Sequence, residues 1–134
     1  MKKSFLGNLF YLFCTALFVS CNSTSALQVG ELRCESLVNP LGIDNTSPHL
    51  SWILTSNEQG EEQHAYQVLV ASSEKLLSER KADLWNSGKI VSEQSTGLLY
   101  QGKPLTSKDM AYWKVRVWNK EGKATDWSKP ACFA

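Results

Sequence analysis

The stretch MAYWKVRVWN, residues 110–119, alternates apolar and polar side chains more regularly than any other part of this 134-residue chain. Successive side chains of a β-strand point to opposite faces, so a period of two indicates a strand with one buried face. The side chains predicted to point inward are Trp113, Val115 and Val117, and those predicted to point outward are Tyr112, Lys114, Arg116 and Trp118. Gly122 suits a positive-φ position in the turn that follows, so we expect the chain to fold back into one more strand.

The rest of the chain shows the same kind of pattern, in which short apolar or alternating runs are separated by Gly, Pro, Asn and Asp. The predicted strands cover residues 30–37, 49–55, 63–72, 84–91, 96–100, 110–119 and 127–133. Between them, residues 73–82 are predicted to form a short helical turn with Leu76 and Leu77 packed inward. About seven short strands indicate an all-β fold, a two-sheet antiparallel sandwich of immunoglobulin-like or fibronectin-type-III-like form.

Residues 1–20 are predicted to be a lipoprotein-type signal peptide rather than part of the fold. Lys2 and Lys3 form a positive n-region, and the apolar run at 5–19 is shorter than the roughly 20 residues of a transmembrane helix. The sequence FVSC at 18–21 is similar to the bacterial lipobox, in which the cysteine is lipidated.

Cys21 is therefore the predicted lipidation site, followed by a tether at 21–28 and the β-sandwich at 29–134. The alternative is ordinary signal cleavage after Ala26. In either case we expect export. The first alternative gives an outer-membrane or cell-surface lipoprotein attached to the membrane by its lipid, and the second gives a periplasmic or secreted protein.

Three aromatic residues, Trp52, Tyr66 and Trp113, are predicted to form the structural core because each lies on the apolar side of an alternating strand. Cys34 and Cys132 lie in the folded part and are candidates for a disulfide in an oxidising compartment. The alternative is two buried free thiols that behave as small apolar side chains.

Composition excludes several classes of function. The formal net charge is +1, and 14 basic residues less Lys2 and Lys3 leave 12 against 13 acidic residues, so nucleic acid is not an expected partner. His49 and His64 have no metal-ligand spacing, and the cysteines form no Cys-x-x-Cys pair. No metal site and no cofactor are predicted.

The five tryptophans are many for this length and supply the remaining functional candidates. Tyr112 and Trp118 are predicted to form an outward apolar patch that serves as an interface or a glycan contact, with Trp85 as a further glycan candidate. A cation–π stack of Arg116 on Trp127 is the structural alternative, worth about 0.5–1 kcal/mol at an exposed site.

The order of several blocks resembles the N-terminal module of bacterial α-L-rhamnosidases. These blocks are LRCE at 32–35, NPLGID at 39–44, PHLSW at 48–52, AYQVLVAS at 65–72, LWNSGK at 84–89, YWKVRVW at 112–118 and WS at 127–128. The resemblance implies a β-sandwich that precedes further β-domains and an (α/α)-barrel, which hydrolyses terminal rhamnose by an inverting mechanism. Its implied partners are the downstream domains of the same enzyme and rhamnose-containing glycans.

The resemblance transfers no catalytic residue to this chain, because the acidic residues of the family lie in the barrel. We therefore expect a fragment or truncated product that is inactive alone. Inverting hydrolysis needs two carboxyl groups about 6.5–9.5 Å apart. Glu61 and Glu62 are adjacent in a polar turn, and the other acidic residues are scattered, so each is interpreted as a solvated surface charge.

Overall fold

The computed structural model describes residues 25–134, so the predicted signal peptide and residues 21–24 of the predicted tether, Cys21 included, lie outside the described residues. Eight β-strands and one 3₁₀ turn, Glu74–Leu76, make up the fold. The strands are β1 Leu27–Cys34, β2 His49–Ser56, β3 Gln63–Ala71, β4 Trp85–Asn86, β5 Ile90–Val91, β6 Leu98–Leu99, β7 Ala111–Asn119 and β8 Ala131–Phe133.

The strands form two antiparallel sheets, which confirms the predicted two-sheet sandwich. One sheet has the order β1-β2-β6, and the other has the order β4-β3-β7-β8 with β5 also paired to β3. The predicted strand at 84–91 is two short strands, β4 and β5, because the turn at Gly88 has a φ of +65°. Both short strands pair with β3 at different points along its length.

The two nine-residue strands β3 and β7 are the centre of the larger sheet. They pair from Gln63↔Asn119 to Ala71↔Tyr112. Their inward side chains join those of β1 and β2 in one apolar core. The fully buried members of this core from β7 are Trp113, Val115 and Val117.

The structure places Trp52, Tyr66 and Trp113 in that core, with exposed fractions of 3%, 6% and 0%. The rings of Trp52 and Tyr66 are 5.5 Å apart and tilted by 58°, a geometry in which aromatic pairs attract beyond their buried area. Trp52 Nε1 donates a hydrogen bond of 3.1 Å to Gln63 Oε1. Trp113 Nε1 is buried and has no hydrogen-bond partner within the described part of the chain.

A second, smaller cluster covers the outer face of β3. Leu69 and Ala71 are fully buried there, and Leu77, which follows the 3₁₀ turn, packs on them with 7% of its surface exposed. The predicted inward packing at Leu76 and Leu77 is therefore present, around a shorter helical element than residues 73–82. Because this segment covers it, β3 is apolar on both faces near its end.

The predicted first strand was wrong by three residues at each end, because the chain turns earlier than expected. Cys34 and Leu37 exchange two backbone hydrogen bonds of 2.9 Å. Between them Glu35 and Ser36 have φ values of +50° and +66°. Positive φ at both central residues is the requirement of a type I′ hairpin turn, which Asn and Gly normally supply. Glu35 and Ser36 are neither Asn nor Gly, so the local sequence did not indicate a turn at these residues.

The predicted last strand at 127–133 was also wrong, since β8 contains only residues 131–133. Before it, side-chain hydroxyls replace backbone acceptors beside β7. Ser128 Oγ accepts a hydrogen bond of 3.0 Å from the Val115 N–H, and Thr125 Oγ1 accepts one of 3.1 Å from the Val117 N–H. The N–H groups of Ser128 and Thr125 donate in return to the carbonyls of the same two valines, at 2.8 Å each.

Of the two alternatives for Cys34 and Cys132, the structure has free thiols rather than a disulfide. Cys34 is 1% exposed and belongs to the core between the sheets. Cys132 lies between Ala131 and Phe133, which pack into that core, so its side chain points to the opposite face of the sheet. Burial, with a smaller contribution from the Glu35 carboxylate, raises the pKa of the Cys34 thiol to about 12. Such a thiol is unreactive at neutral pH.

The two core tryptophans provide a matched test of this packing. We expect Trp52→Phe to lower the free energy of unfolding more than Trp113→Phe, by about 1 kcal/mol or more, because it leaves the buried Gln63 oxygen without its donor. Trp113→Phe instead removes an N–H that has no partner. Urea unfolding of the two variants measures the difference. An equal or larger loss in Trp113→Phe would contradict the hydrogen-bond assignment.

Candidate functional site

The outer face of β7 carries the polar and aromatic side chains that sequence analysis assigned to a possible contact surface. Tyr112, Lys114, Arg116 and Trp118 alternate with the core residues along the strand, and all four are half-buried rather than open to solvent. Neighbouring segments therefore cover part of this face.

Three cations and two indoles form a cation–π ladder on this face. The Arg116 guanidinium carbon is 4.6 Å from the ring centroid of Trp127 and 4.8 Å from that of Trp118. Lys114 Nζ is 4.9 Å from the Trp127 centroid, and Lys89 Nζ is 4.8 Å from the Trp118 centroid. Cations within about 6 Å of a ring centroid are attracted by the quadrupole of the ring. The structure thus has the predicted stack of Arg116 on Trp127 as part of a larger arrangement.

Arg116 is held in place by hydrogen bonds as well as by the indoles. Its Nε and Nη2 donate to Gln67 Oε1 at 3.1 and 2.9 Å, and Nη2 also donates to Glu79 Oε1 at 2.5 Å. Gln67 is 5% exposed, and its own amide nitrogen donates to Asn86 Oδ1 at 3.0 Å. A chain of bonds from β4 through β3 to β7 therefore fixes the guanidinium.

Burial and the crowding of cations on this face lower the pKa of Lys114. Its pKa lies below the ordinary value of 10.5 because of desolvation and the neighbouring positive charge of Arg116, and the Glu79 carboxylate only partly offsets these effects. Its Nζ faces the Trp127 ring.

Trp127 reaches the ladder because of the residues on either side of it. Thr125 and Ser128 both bond to β7, and they hold the intervening residues beside the strand although no β-strand is formed there. The Trp127 ring packs against the second cluster around Leu69 and lies beside Arg116.

The ladder does not resemble an open platform for sugar rings. Each of its indoles has two cations within 5 Å of its centroid. Trp85 is half-buried and packs edge-on against Tyr100, with a centroid separation of 5.5 Å. With Trp52 and Trp113 in the core, every tryptophan of the chain already packs against other groups of the protein.

The predicted apolar patch of Tyr112 and Trp118 is not continuous. The two residues lie at opposite ends of β7, with Lys114 and Arg116 between them on the same face. Tyr112 packs against the second cluster around Leu69, and Trp118 packs beneath cations. The expectation failed because six residues of extended strand separate two side chains by about 20 Å.

The carboxyl groups of the described residues serve local structure. Glu35, Glu62, Asp83 and Asp109 all have lowered pKa values. The largest causes are the His49 backbone N–H for Glu35, Lys120 for Glu62, the Ser72 hydroxyl for Asp83 and the Thr106 hydroxyl for Asp109. A general acid needs a pKa raised toward the working pH. The shifts resolved here have the opposite sign.

Residues 25–134 contain neither a metal-binding cluster nor a membrane-spanning helix. Within this range His, Cys, Asp and Glu form no group of three or more that could hold a metal ion. The same range contains no helix with the length and apolar character needed to cross a membrane.

This fold has counterparts among known proteins. A family model described as the Rha78A-like, N-terminal immunoglobulin domain matches residues 29–134. The chain belongs to this family. Among the relatives of this N-terminal immunoglobulin domain, an α-L-rhamnosidase of Formosa agariphila is 40% identical over 130 residues, which cover 93% of this chain and 14% of that protein.

Solved structures agree with this assignment. The crystal structure of Streptomyces avermitilis α-L-rhamnosidase complexed with L-rhamnose matches 81% of this chain with 42% identity and a TM-score of 0.77. The α-L-rhamnosidase of Dictyoglumus thermophilum matches 78% with 36% identity and a TM-score of 0.74. The matched part is 10% and 12% of those chains. The chain spans 10–14% of the length of the curated relatives it matches.

Sequence reasoning missed three members of the site in this N-terminal immunoglobulin domain. Gln67 and Glu79 bond to Arg116 across 49 and 37 residues of sequence, and Lys89 reaches Trp118 from the turn between β4 and β5. Nothing in the local pattern identifies them. Glu79 was interpreted as a solvated surface charge, and it is 52% exposed, but it also pairs with Arg116.

The central role of Arg116, which contacts both indoles of the cation–π ladder, can be tested with a conservative substitution. We expect Arg116→Lys to lower the free energy of unfolding by about 1–3 kcal/mol, because lysine cannot reproduce the forked bond to Gln67 or the planar stack. We expect the control Lys89→Met, which removes only one terminal cation, to cost less than about 1 kcal/mol. Urea unfolding gives the energies, and near-ultraviolet circular dichroism reports the indole environment. An equal decrease in the free energy of unfolding in the two variants would show that Arg116 is not the central residue of the ladder.

Proposed function

We propose that this chain is the non-catalytic N-terminal β-sandwich module of an exported α-L-rhamnosidase whose full-length form removes terminal α-L-rhamnose from glycans. The observation that carries the proposal is the family match over residues 29–134 combined with the small share, 10–14%, that the chain occupies in its relatives. Those relatives are named α-L-rhamnosidases. The activity proposed for the whole protein therefore resides outside the matched module.

The chemistry of the described residues supports a structural role for the module. Its shifted carboxyl groups form hydrogen bonds that lower their pKa values, and Glu79 pairs with Arg116 of the ladder. Inverting glycoside hydrolysis needs an acid with a raised pKa and a base on the opposite side of the substrate. The module is suited to hold its neighbours in position rather than to supply these groups.

A standalone glycan-binding lipoprotein is the other function that the sequence suggested, with Trp85 and Trp118 as contacts. The geometry gives it little support, because Trp118 is stacked with Lys89 and Arg116 and Trp85 packs on Tyr100. Both indoles are half-buried and already contact other groups of the protein.

The size of the native polypeptide tests the proposal directly. We expect an antibody raised against residues 27–134 to detect, in the source cells, a band far larger than the 15.0 kDa of this chain. The same preparation should release rhamnose from a rhamnosyl substrate, and the purified 134-residue chain should not. A single band near 15 kDa would remove the proposal and leave glycan binding as the function to pursue.

Export and lipidation form a separate part of the proposal, supported by the basic n-region, the apolar run and Cys21. We expect the protein in the membrane fraction, and we expect Cys21→Ser to shift it out of that fraction because the lipid attachment site is lost. Cys14→Ser, inside the apolar run, is the matched control and should leave the distribution unchanged. Retention of the Cys21→Ser protein in the membrane fraction would contradict lipidation at this residue.

A further inference from the structure

One end of the sandwich exposes large apolar side chains close together in sequence. Leu37, Val38 and Leu41 are 58%, 64% and 71% exposed. We call these three residues the apolar tip. Scattered single apolar residues are normal on a protein surface, whereas a group of them in one segment marks a contact surface.

The apolar tip is held rigidly by the turn that precedes it. The two backbone bonds between Cys34 and Leu37 close the turn. The carboxylate of Glu35 accepts hydrogen bonds from the His49 N–H at 2.7 Å and from Asn45 Nδ2 at 3.3 Å, which ties the turn to the start of β2. Non-glycine residues in left-handed conformations cost about 1–3 kcal/mol each and persist where the surroundings impose them.

The same segment is bonded to the C-terminal strand. Cys132 N–H donates to Asn39 Oδ1 at 3.0 Å, Ala134 N–H donates to the Pro40 carbonyl at 3.1 Å, and Ile43 N–H donates to the Ala134 carbonyl at 2.7 Å. Residues 39–43 therefore form hydrogen bonds with the C-terminal residues Cys132 and Ala134. The apolar tip lies beside the place where the chain leaves the sandwich.

Clefts adjoin this exit on both sides. One, of about 470 Å³, lies between β1 and the approach to β8 and has Val38 and Pro130 among its lining residues. The other, of about 320 Å³, is lined by apolar residues such as Ile43 and Leu105 and by polar residues such as Asp44 and Thr106. The surface around the apolar tip is therefore concave and partly polar rather than flat.

We infer that the apolar tip and its flanking clefts are the docking surface for the domain that follows this module in a longer rhamnosidase chain. The inference rests on the proposed function. In the relatives the matched part is an N-terminal domain that fills only 10–14% of the chain, so the remaining polypeptide departs from β8. A domain joined at that point has a high effective concentration at the neighbouring surface. An apolar, preorganised surface then fixes its orientation.

Hydrogen exchange tests the occupant of this surface. Backbone amides from Val38 to Leu41 should exchange at least tenfold more slowly in the long chain from the source cells than in the separate 134-residue chain. The amides of Ile90 and Val91, at the edge of the other sheet, should exchange equally in both. Equal exchange at Val38–Leu41 in the two proteins would overturn the inference and leave the proposed function intact. If the cells contain only a 15 kDa chain, both the docking inference and the proposed function are wrong.

A matched pair of exposed valines separates docking from folding. Val38 and Val91 are 64% and 68% exposed, so replacement by serine should leave the sandwich folded in either case. In the long chain we expect Val38→Ser to abolish the slow exchange at the apolar tip and to split one melting transition into two, whereas Val91→Ser changes neither. Identical behaviour of the two variants would overturn the assignment. Protection that grows with concentration of the separate module would instead identify a second copy as the occupant.

Discussion

The pairing of β3 with β7 is the constraint on which the rest of the structure depends. Both strands are nine residues long, pair along nearly their whole length and send side chains to both sides of the sheet. On the inner side these form the core with β1 and β2. On the outer side they support the second cluster and the cation–π ladder. A one-residue slip of register would exchange the two faces, so the apolar face of β7 also determines where Arg116 lies.

The number of tryptophans follows from this two-sided arrangement. Trp52 and Trp113 fill the core, and Trp118 and Trp127 cover the outer face by stacking with cations. A small sandwich has a small apolar core. Large aromatic rings on both sides of one sheet therefore add buried apolar area that stabilises the fold. Aromatic residues on the outer face of a β-sandwich suggest a glycan platform, but here packing within the protein accounts for them.

The long alternating strands were predictable because they carry a period-two pattern, and β2, β3 and β7 lie within one residue of their predicted ends. Both ends of β1 and the start of β8 were not predictable in this way. A turn built on Glu35 and Ser36 has no Gly or Asn signal, and the hydroxyls of Thr125 and Ser128 satisfy β7 without a strand. The stack of Arg116 on Trp127 could be anticipated because a single turn connects the two residues. Contacts to Gln67 and Glu79 depend on tertiary placement that no local pattern encodes.

The two ends of the sandwich differ in a way that bears on how such a module works. At the end that carries the turn at Gly122, a glycine takes the positive φ of +78°. At the other end, Glu35 and Ser36 adopt left-handed conformations that glycine would adopt with less strain, and the segment that follows exposes Leu37, Val38 and Leu41. Strain and apolar exposure both oppose the stability of the isolated module. Their coincidence beside the exit of β8 is explained if another part of a longer chain covers that end, because burial there would offset both costs.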